Sequence, residues 1–122
     1  MPDYSIALDI TPAPACGNPN HFTVKLGNGA AIKIKDSSVI CSRKMIDRLT
    51  DLAESEKIKY QYEVLLAGGT DTSAMQLAGN GSYACCISLP TRYTHTPVET
   101  IDINDMEACI DLLIAFIEKG AE

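Results

Sequence analysis

Hydrophobic positions along this chain recur with a period near two in some stretches and near 3.6 in others, and the switches mark its elements. Tyr4 to Ile10 carries apolar residues on both faces and runs into the breaker-rich stretch Thr11 to Asn20, the pattern of a strand inside a sheet. His21 to Leu26 and Ala30 to Lys35 alternate around Gly27-Asn28-Gly29. They predict a hairpin or two short edge strands with their lysines facing water. After Ser42, a candidate N-cap, Met45, Ile46, Leu49, Leu52 and Ala53 share one helical face through about Lys57. The charges around that face make a solvated surface.

Tyr60 to Ala67 reads as a strand, Asp71 to about Ala78 as a short helix, and Gly79-Asn80-Gly81 as its stop. Tyr83 to Leu89 has the content of a buried strand, which Pro90 should end. Asn104 with Glu107 resembles a capping box. The helix it opens places Met106, Cys109, Ile110, Leu113, Phe116 and Ile117 on one side and ends at Gly120. Alternating strands and helices predict an α/β fold, a mixed or mostly parallel sheet flanked by helices.

Composition narrows the classes. A chain of 122 residues predicts one domain, able to bury about two-thirds of its unfolded surface. The net charge of -6 and the scattered Lys and Arg residues argue against nucleic acid as a partner. No apolar run suits a membrane span or signal peptide. The five cysteines, Cys16, Cys41, Cys85, Cys86 and Cys109, lack paired metal-type spacing and fit a reduced cytoplasm. Adjacent Cys85 and Cys86 read as small core residues on opposite strand faces.

Candidate chemistry collects at three places. His95 should lie on the loop beyond the last strand, where an imidazole is able to ligate a metal, act as a base or simply hydrogen-bond. Asp9 lies at the end of the first strand, and Gly68-Gly69-Thr70-Asp71 follows the middle one. If those strands are parallel, all three share one rim, the edge at which open α/β sheets bind ligands. A carboxylate and an imidazole there are donor types for zinc, cobalt or manganese. The Gly-Gly-Thr-Asp turn offers backbone N–H groups to a substrate carboxylate or oxyanion, while Thr70, Asp71 or Thr72 would equally serve as caps.

Four segments together resemble a known family: Ile6 to Ala13, Leu26 to Gly29, Gly68 to Asp71, and Pro90-Thr91-Arg92-Tyr93-Thr94-His95-Thr96-Pro97-Val98-Glu99. They are similar to the C-terminal part of the tetrahedral aminopeptidases of metallopeptidase family 42, also known as glutamyl aminopeptidases or "cellulase M". The resemblance spans about Pro2 to Lys119. It implies a partial zinc-peptidase-like catalytic domain in which Asp9 and His95 are metal ligands. Gly68, Gly69, Thr70 and Asp71 would border the substrate cleft, and Arg92 and Tyr93 would position the histidine loop.

The family's earlier histidine, bridging aspartate, paired glutamates and inserted small domain have no counterpart here. A dinuclear site needs a bridging carboxylate and a base beside two ions about 3.5 to 4 Å apart. The resemblance therefore implies a chain inactive by itself, with no catalytic base and weak or absent metal. Peptides would be substrates of the complete enzyme. Self-association or a complementary N-terminal half would cover the face left open, and a non-catalytic interaction module is the second reading. Nothing supplies the opposed carboxylate pair of a glycosidase.

Overall fold

The computed structural model describes residues 2–15 and 22–122. Its elements in chain order are β1 (Tyr4–Pro12), β2 (Ala30–Lys35), α1 (Arg43–Ser55), β3 (Tyr60–Val64), α2 (Thr72–Leu77), β4 (Tyr83–Thr91) and α3 (Ile103–Lys119). The four strands form one mixed sheet in the order β1-β4-β2-β3, with β1 parallel to β4, β2 parallel to β3, and β2 antiparallel to β4. The α/β class therefore holds. The inner and outer strands change places relative to the sequence reading.

β1, expected inside the sheet, is an edge strand pairing only with β4 among the described residues. Its Leu8 is 60% exposed, so its two-sided apolar pattern exceeds what this chain covers. β2, expected at an edge, is central, and Ala30 through Lys33 are all buried. Among the described residues no hairpin precedes it. His21 lies outside the described residues, and 22–26 forms no strand but follows β3 through side chains. Val64 N–H donates to Thr23 Oγ1 at 3.1 Å, and Gln61 Nε2 donates to the Lys25 carbonyl at 2.9 Å. Lys33 turns inward because the β2–β3 register sets it opposite Glu63, a partner that alternation along one strand does not reveal.

The two faces of the sheet differ in chemistry. Ile32, Cys85 and Ile87 join Met45, Leu49, Leu52 and Leu112 in the apolar core beneath α1 and α3. The opposite face carries Lys33, Glu63 and Ser88, and α2 packs over β1 and β4 there with Thr72 buried. Met45, Ile46, Leu49, Leu52 and Ala53 are the buried residues of α1, as its periodicity requires.

α3 is rotated from its expected orientation. Asp105, Ala108, Leu112 and Ala115 form its buried line, whereas Ile110 and Ile117 are 49% and 70% exposed. Small residues let this helix approach the sheet, and its bulky apolar side is left beside β1. Asp102, not Asn104, is the N-cap, its Oδ1 accepting the Asn104 N–H at 2.8 Å. One turn further on, the buried Asp105 carboxylate receives the Gly27 and Gly29 N–H groups, both at 2.8 Å. Gly29 is required there, because a Cβ would stand 2.1 Å from the Lys59 carbonyl oxygen at a φ of +90°.

β4 runs past its expected end through Pro90 to Thr91. Its pairing with β1 continues to Pro12, and the Thr91 carbonyl accepts the Ala13 N–H at 2.9 Å. Among the described residues no helix is long and apolar enough to cross a membrane.

Candidate functional site

A cleft of about 230 Å³ brings together Asp9, Pro12, Gly68, Gly69, Thr70 and His95. Two of its walls meet for the expected reason. β1 and β4 are parallel, so the end of β1 and the loop after β4 lie at one edge of the sheet. The third wall arrives differently. β3 runs against β4, so its C-terminal end is at the opposite edge, and 65–70 has to turn back to reach the cleft.

The His95 loop is bent tightly. Tyr93 and His95 both have left-handed backbone, with φ of 56° and 63°, an uncommon conformation for such residues. Its base is held by the Arg92–Thr100 pair, in which each N–H donates to the other residue's carbonyl, at 2.8 and 3.1 Å. Arg92 Nε also donates to the Pro14 carbonyl at 3.0 Å, tying the loop to the chain leaving β1. The His95 N–H donates to Glu99 Oε1 at 2.7 Å, and the Tyr93 carbonyl accepts the Thr96 hydroxyl. Glu99, which sequence reasoning passed over, thus fixes the histidine's backbone from four residues downstream.

Asp9 and His95 are exposed, and Asp9 Oδ1 accepts the Ile10 N–H at 2.7 Å. As donors they suit a borderline divalent cation in kind, although not in number. Among the described residues, no group of three or more His, Cys, Asp and Glu side chains could hold a metal ion. A closed structural zinc site takes four protein ligands and a catalytic one takes three.

Gly68, Gly69 and Thr70 line the cleft, while Asp71 does not. Asp71 is exposed at the N-cap of α2 in a helical conformation and makes no side-chain capping bond. α2 is only six residues long, which leaves little dipole at its start.

Behind the Gly-Gly-Thr wall lies a buried ionic cluster that the alternating Lys33 and Lys35 concealed. Lys33 Nζ is 3.0 Å from Glu63 Oε1 and 3.2 Å from Asp36 Oδ2, with all three side chains at most 1% exposed. Ser88 Oγ donates to Glu63 Oε2 at 2.9 Å. Burial alone pulls the Lys33 pKa down, but attraction to Glu63 and its hydrogen bonds to Glu63 and Asp36 outweigh that and raise it above 10.5. Burial pushes the Asp36 carboxyl up, and hydrogen bonds from Ser38 together with the Lys33 charge bring it below its ordinary 3.8. Lys33 and Asp36 are therefore ionised across the neutral range.

A second, apolar groove of about 340 Å³ runs between β1 and α3, with Leu8, Ile10, Leu89, Met106 and Ile110 on its walls.

Comparison with known proteins identifies the family and the fold. The family model described as M42 glutamyl aminopeptidase matches residues 1–112. A relative from Acetivibrio thermocellus, named provisionally as an aminopeptidase, is 40% identical over 116 residues, covering 95% of this chain and 35% of the relative. Among solved structures, an aminopeptidase from the archaeon Desulfurococcus kamchatkensis superposes with a TM-score of 0.93 at 38% identity, covering 98% of this chain and 35% of that one. The Pyrococcus horikoshii TET1 peptidase, described as assembling into a tetrahedron or a large octahedral shell, gives 0.78 at 35% identity, with 94% and 33% covered. This chain thus spans about a third of the length of these relatives. With a matching family model over most of its residues and a matching fold, the chain belongs to the M42 glutamyl aminopeptidase family.

Proposed function

We propose that these residues form one side of the catalytic cleft of a metal-dependent aminopeptidase, and that they do not cleave peptides by themselves. The convergence of Asp9, His95 and Gly68–Thr70 on one cleft from three separate parts of the chain is the observation that supports this reading most directly. Asp9 and His95 would each hold a divalent cation, zinc, cobalt or manganese, as two members of a larger ligand set. The chemistry such a cation supplies when bound is polarisation of a peptide carbonyl and acidification of water. Gly68, Gly69 and Thr70 would form the wall against which the N-terminal residue of a peptide lies. Arg92 and Glu99 hold the His95 loop in register. The remaining ligands and the general base would come from polypeptide beyond these 122 residues.

The open side of the fold supports a complementary partner. β1 has an interior strand's apolar pattern at a sheet edge, and α3 sets Met106, Ile110 and Leu113 beside it, with Ile110 49% exposed. Such a surface is stabilised when covered, by further chain of the same catalytic domain or by another copy. Self-association is the second possibility, favoured by the assembly that the Pyrococcus horikoshii relative's description records. A cytoplasmic location suits the free thiols of Cys41, Cys85, Cys86 and Cys109.

The decisive assay is hydrolysis of aminoacyl-anilides with zinc, cobalt or manganese. No turnover is expected from the 122-residue chain alone, and metal-dependent turnover is expected when a polypeptide carrying the missing ligands is added. Turnover by the chain alone would refute the incomplete-site reading.

A further inference from the structure

The strand directions pose a problem for the cleft, because the wall formed by Gly68–Thr70 leaves the sheet at the opposite end from Asp9 and the His95 loop. Among the described residues no strand pairing carries it back. We propose that Asp36 is the positioning residue that fixes this wall, using one carboxylate oxygen for the turn on which the wall rests and the other for the wall itself.

Asp36 Oδ1 accepts from Ser38 N at 2.8 Å, Ser38 Oγ at 2.7 Å and Val39 N at 3.0 Å, closing the 36–39 turn. The wall sits directly on that turn. Ser37 N–H donates to the Gly68 carbonyl at 3.1 Å, and the Ser37 hydroxyl donates to the same oxygen. Gly69 approaches so closely that a Cβ would lie 2.9 Å from Ser38 Oγ. The Thr70 hydroxyl shares its one proton between Asp36 Oδ2 at 3.3 Å and Thr72 Oγ1 at 2.8 Å, and Asp36 Oδ2 also pairs with Lys33 Nζ at 3.2 Å. The lysine is itself fixed by Glu63 within the sheet. The chain of contacts thus runs from the β2–β3 ladder through Lys33 and Asp36 to the backbone of the cleft wall.

The chemistry makes the carboxylate difficult to replace. Both oxygens face only donors, so the amide of Asn would set its NH₂ against either Lys33 or the turn's N–H groups. This role rests on the substrate-wall reading above only for its purpose; the mechanical linkage stands on the contacts themselves. It differs from general stabilisation because its effect is confined to one loop, reached through the 36–39 turn and through the Thr70 hydroxyl.

Backbone ¹⁵N relaxation on the 122-residue chain tests it without any activity measurement. In the wild type, Gly68, Gly69 and Thr70 should be rigid, with order parameters near about 0.85. Thr70→Val, which removes the contacts to Asp36 and Thr72 together, should lower them below about 0.6 and speed exchange of the Ser37 amide about tenfold. The Leu65 amide, bonded to the Lys35 carbonyl at 3.0 Å, should be unaffected. Thr70→Ser, which keeps the hydroxyl, should restore wild-type behaviour. Asp36→Asn should loosen the same residues, and adding Thr70→Val to it should loosen the wall no further. A wall already mobile in the wild type, an unchanged Thr70→Val, or equal loss in Thr70→Ser would overturn the proposal. Failure of the aminopeptidase reading would appear instead as absent turnover even after a polypeptide carrying the missing ligands and metal are added, with wall order following Thr70 as described.

Discussion

Replacing Lys33 with methionine removes the one cation from a buried cluster and leaves two carboxylates facing each other's surroundings. The wild-type contacts are 3.0 Å to Glu63 and 3.2 Å to Asp36, so each is worth about 5 kcal/mol of gross attraction at an effective dielectric near 20. Desolvation of the ammonium cancels much of this, which is why the net worth of such clusters is small. Removing one partner is different, because the stranded charge has no water to return to. The expected loss is about 3–5 kcal/mol, a large part of the 5–15 kcal/mol typical of a domain, and about 10–20 °C in melting temperature.

Urea unfolding of wild type and Lys33→Met at pH 7 and pH 4 provides the measurement. The signs are fixed by the pKa directions. The lowered Asp36 pKa contributes stability present above 3.8 that is lost as pH falls through its folded value. The raised Lys33 pKa contributes stability complete below 10.5 and lost as pH rises through its folded value. In the variant the Asp36 carboxylate loses its cation and protonates more readily, so the deficit should shrink between pH 7 and pH 4. Adding Glu63→Gln should recover part of the loss at pH 7. A deficit below about 1 kcal/mol, the scale of an exposed ion pair, or one that grows on acidification would refute the argument.

Three other outcomes are expected. Asp105→Ala strips the acceptor from the Gly27 and Gly29 N–H groups and should cost about 2–4 kcal/mol in chemical unfolding, whereas the exposed Asp111→Ala should change stability by less than about 0.5 kcal/mol. Gly29→Ala should fail to reach the native state, seen as loss of amide dispersion in an NMR spectrum, since backbone rather than a flexible side chain blocks the new Cβ. Burial pushes the Cys86 thiol up to about 11 and the Cys109 thiol up to about 12, so both should react with a disulfide reagent at pH 8 far more slowly in the native chain than in urea.

Much of the architecture was legible along the chain. The face of α1 could be read from Met45 to Ala53, because a helix flanked by charges has one way to bury its apolar stripe. The stops at Gly79-Asn80-Gly81 and Gly120 were equally local. α3 was harder, since its apolar residues cover more than one face, and only packing showed that Ala108, Leu112 and Ala115 turn inward while Ile110 and Ile117 do not. Asp9, His95 and the Gly-Gly-Thr turn could be singled out by residue type and position. Asp36, Lys33 and Glu63 could not, because a lysine in an alternating strand carries no mark of the partner it meets across a ladder.

By itself, then, the order of residues determined most of the helices and strands, though not 22–26, which was expected as strand and forms none, together with the residues that carry donor chemistry and the family likeness. These follow from local periodicity, breakers and short motifs. Only the tertiary structure decided that β2 is central and β1 an edge, that β3 runs against β4, and that a buried carboxylate reaches the cleft wall. Strand order and direction depend on pairings between residues far apart in the chain, and the free energy of a buried charge depends on partners that those pairings supply.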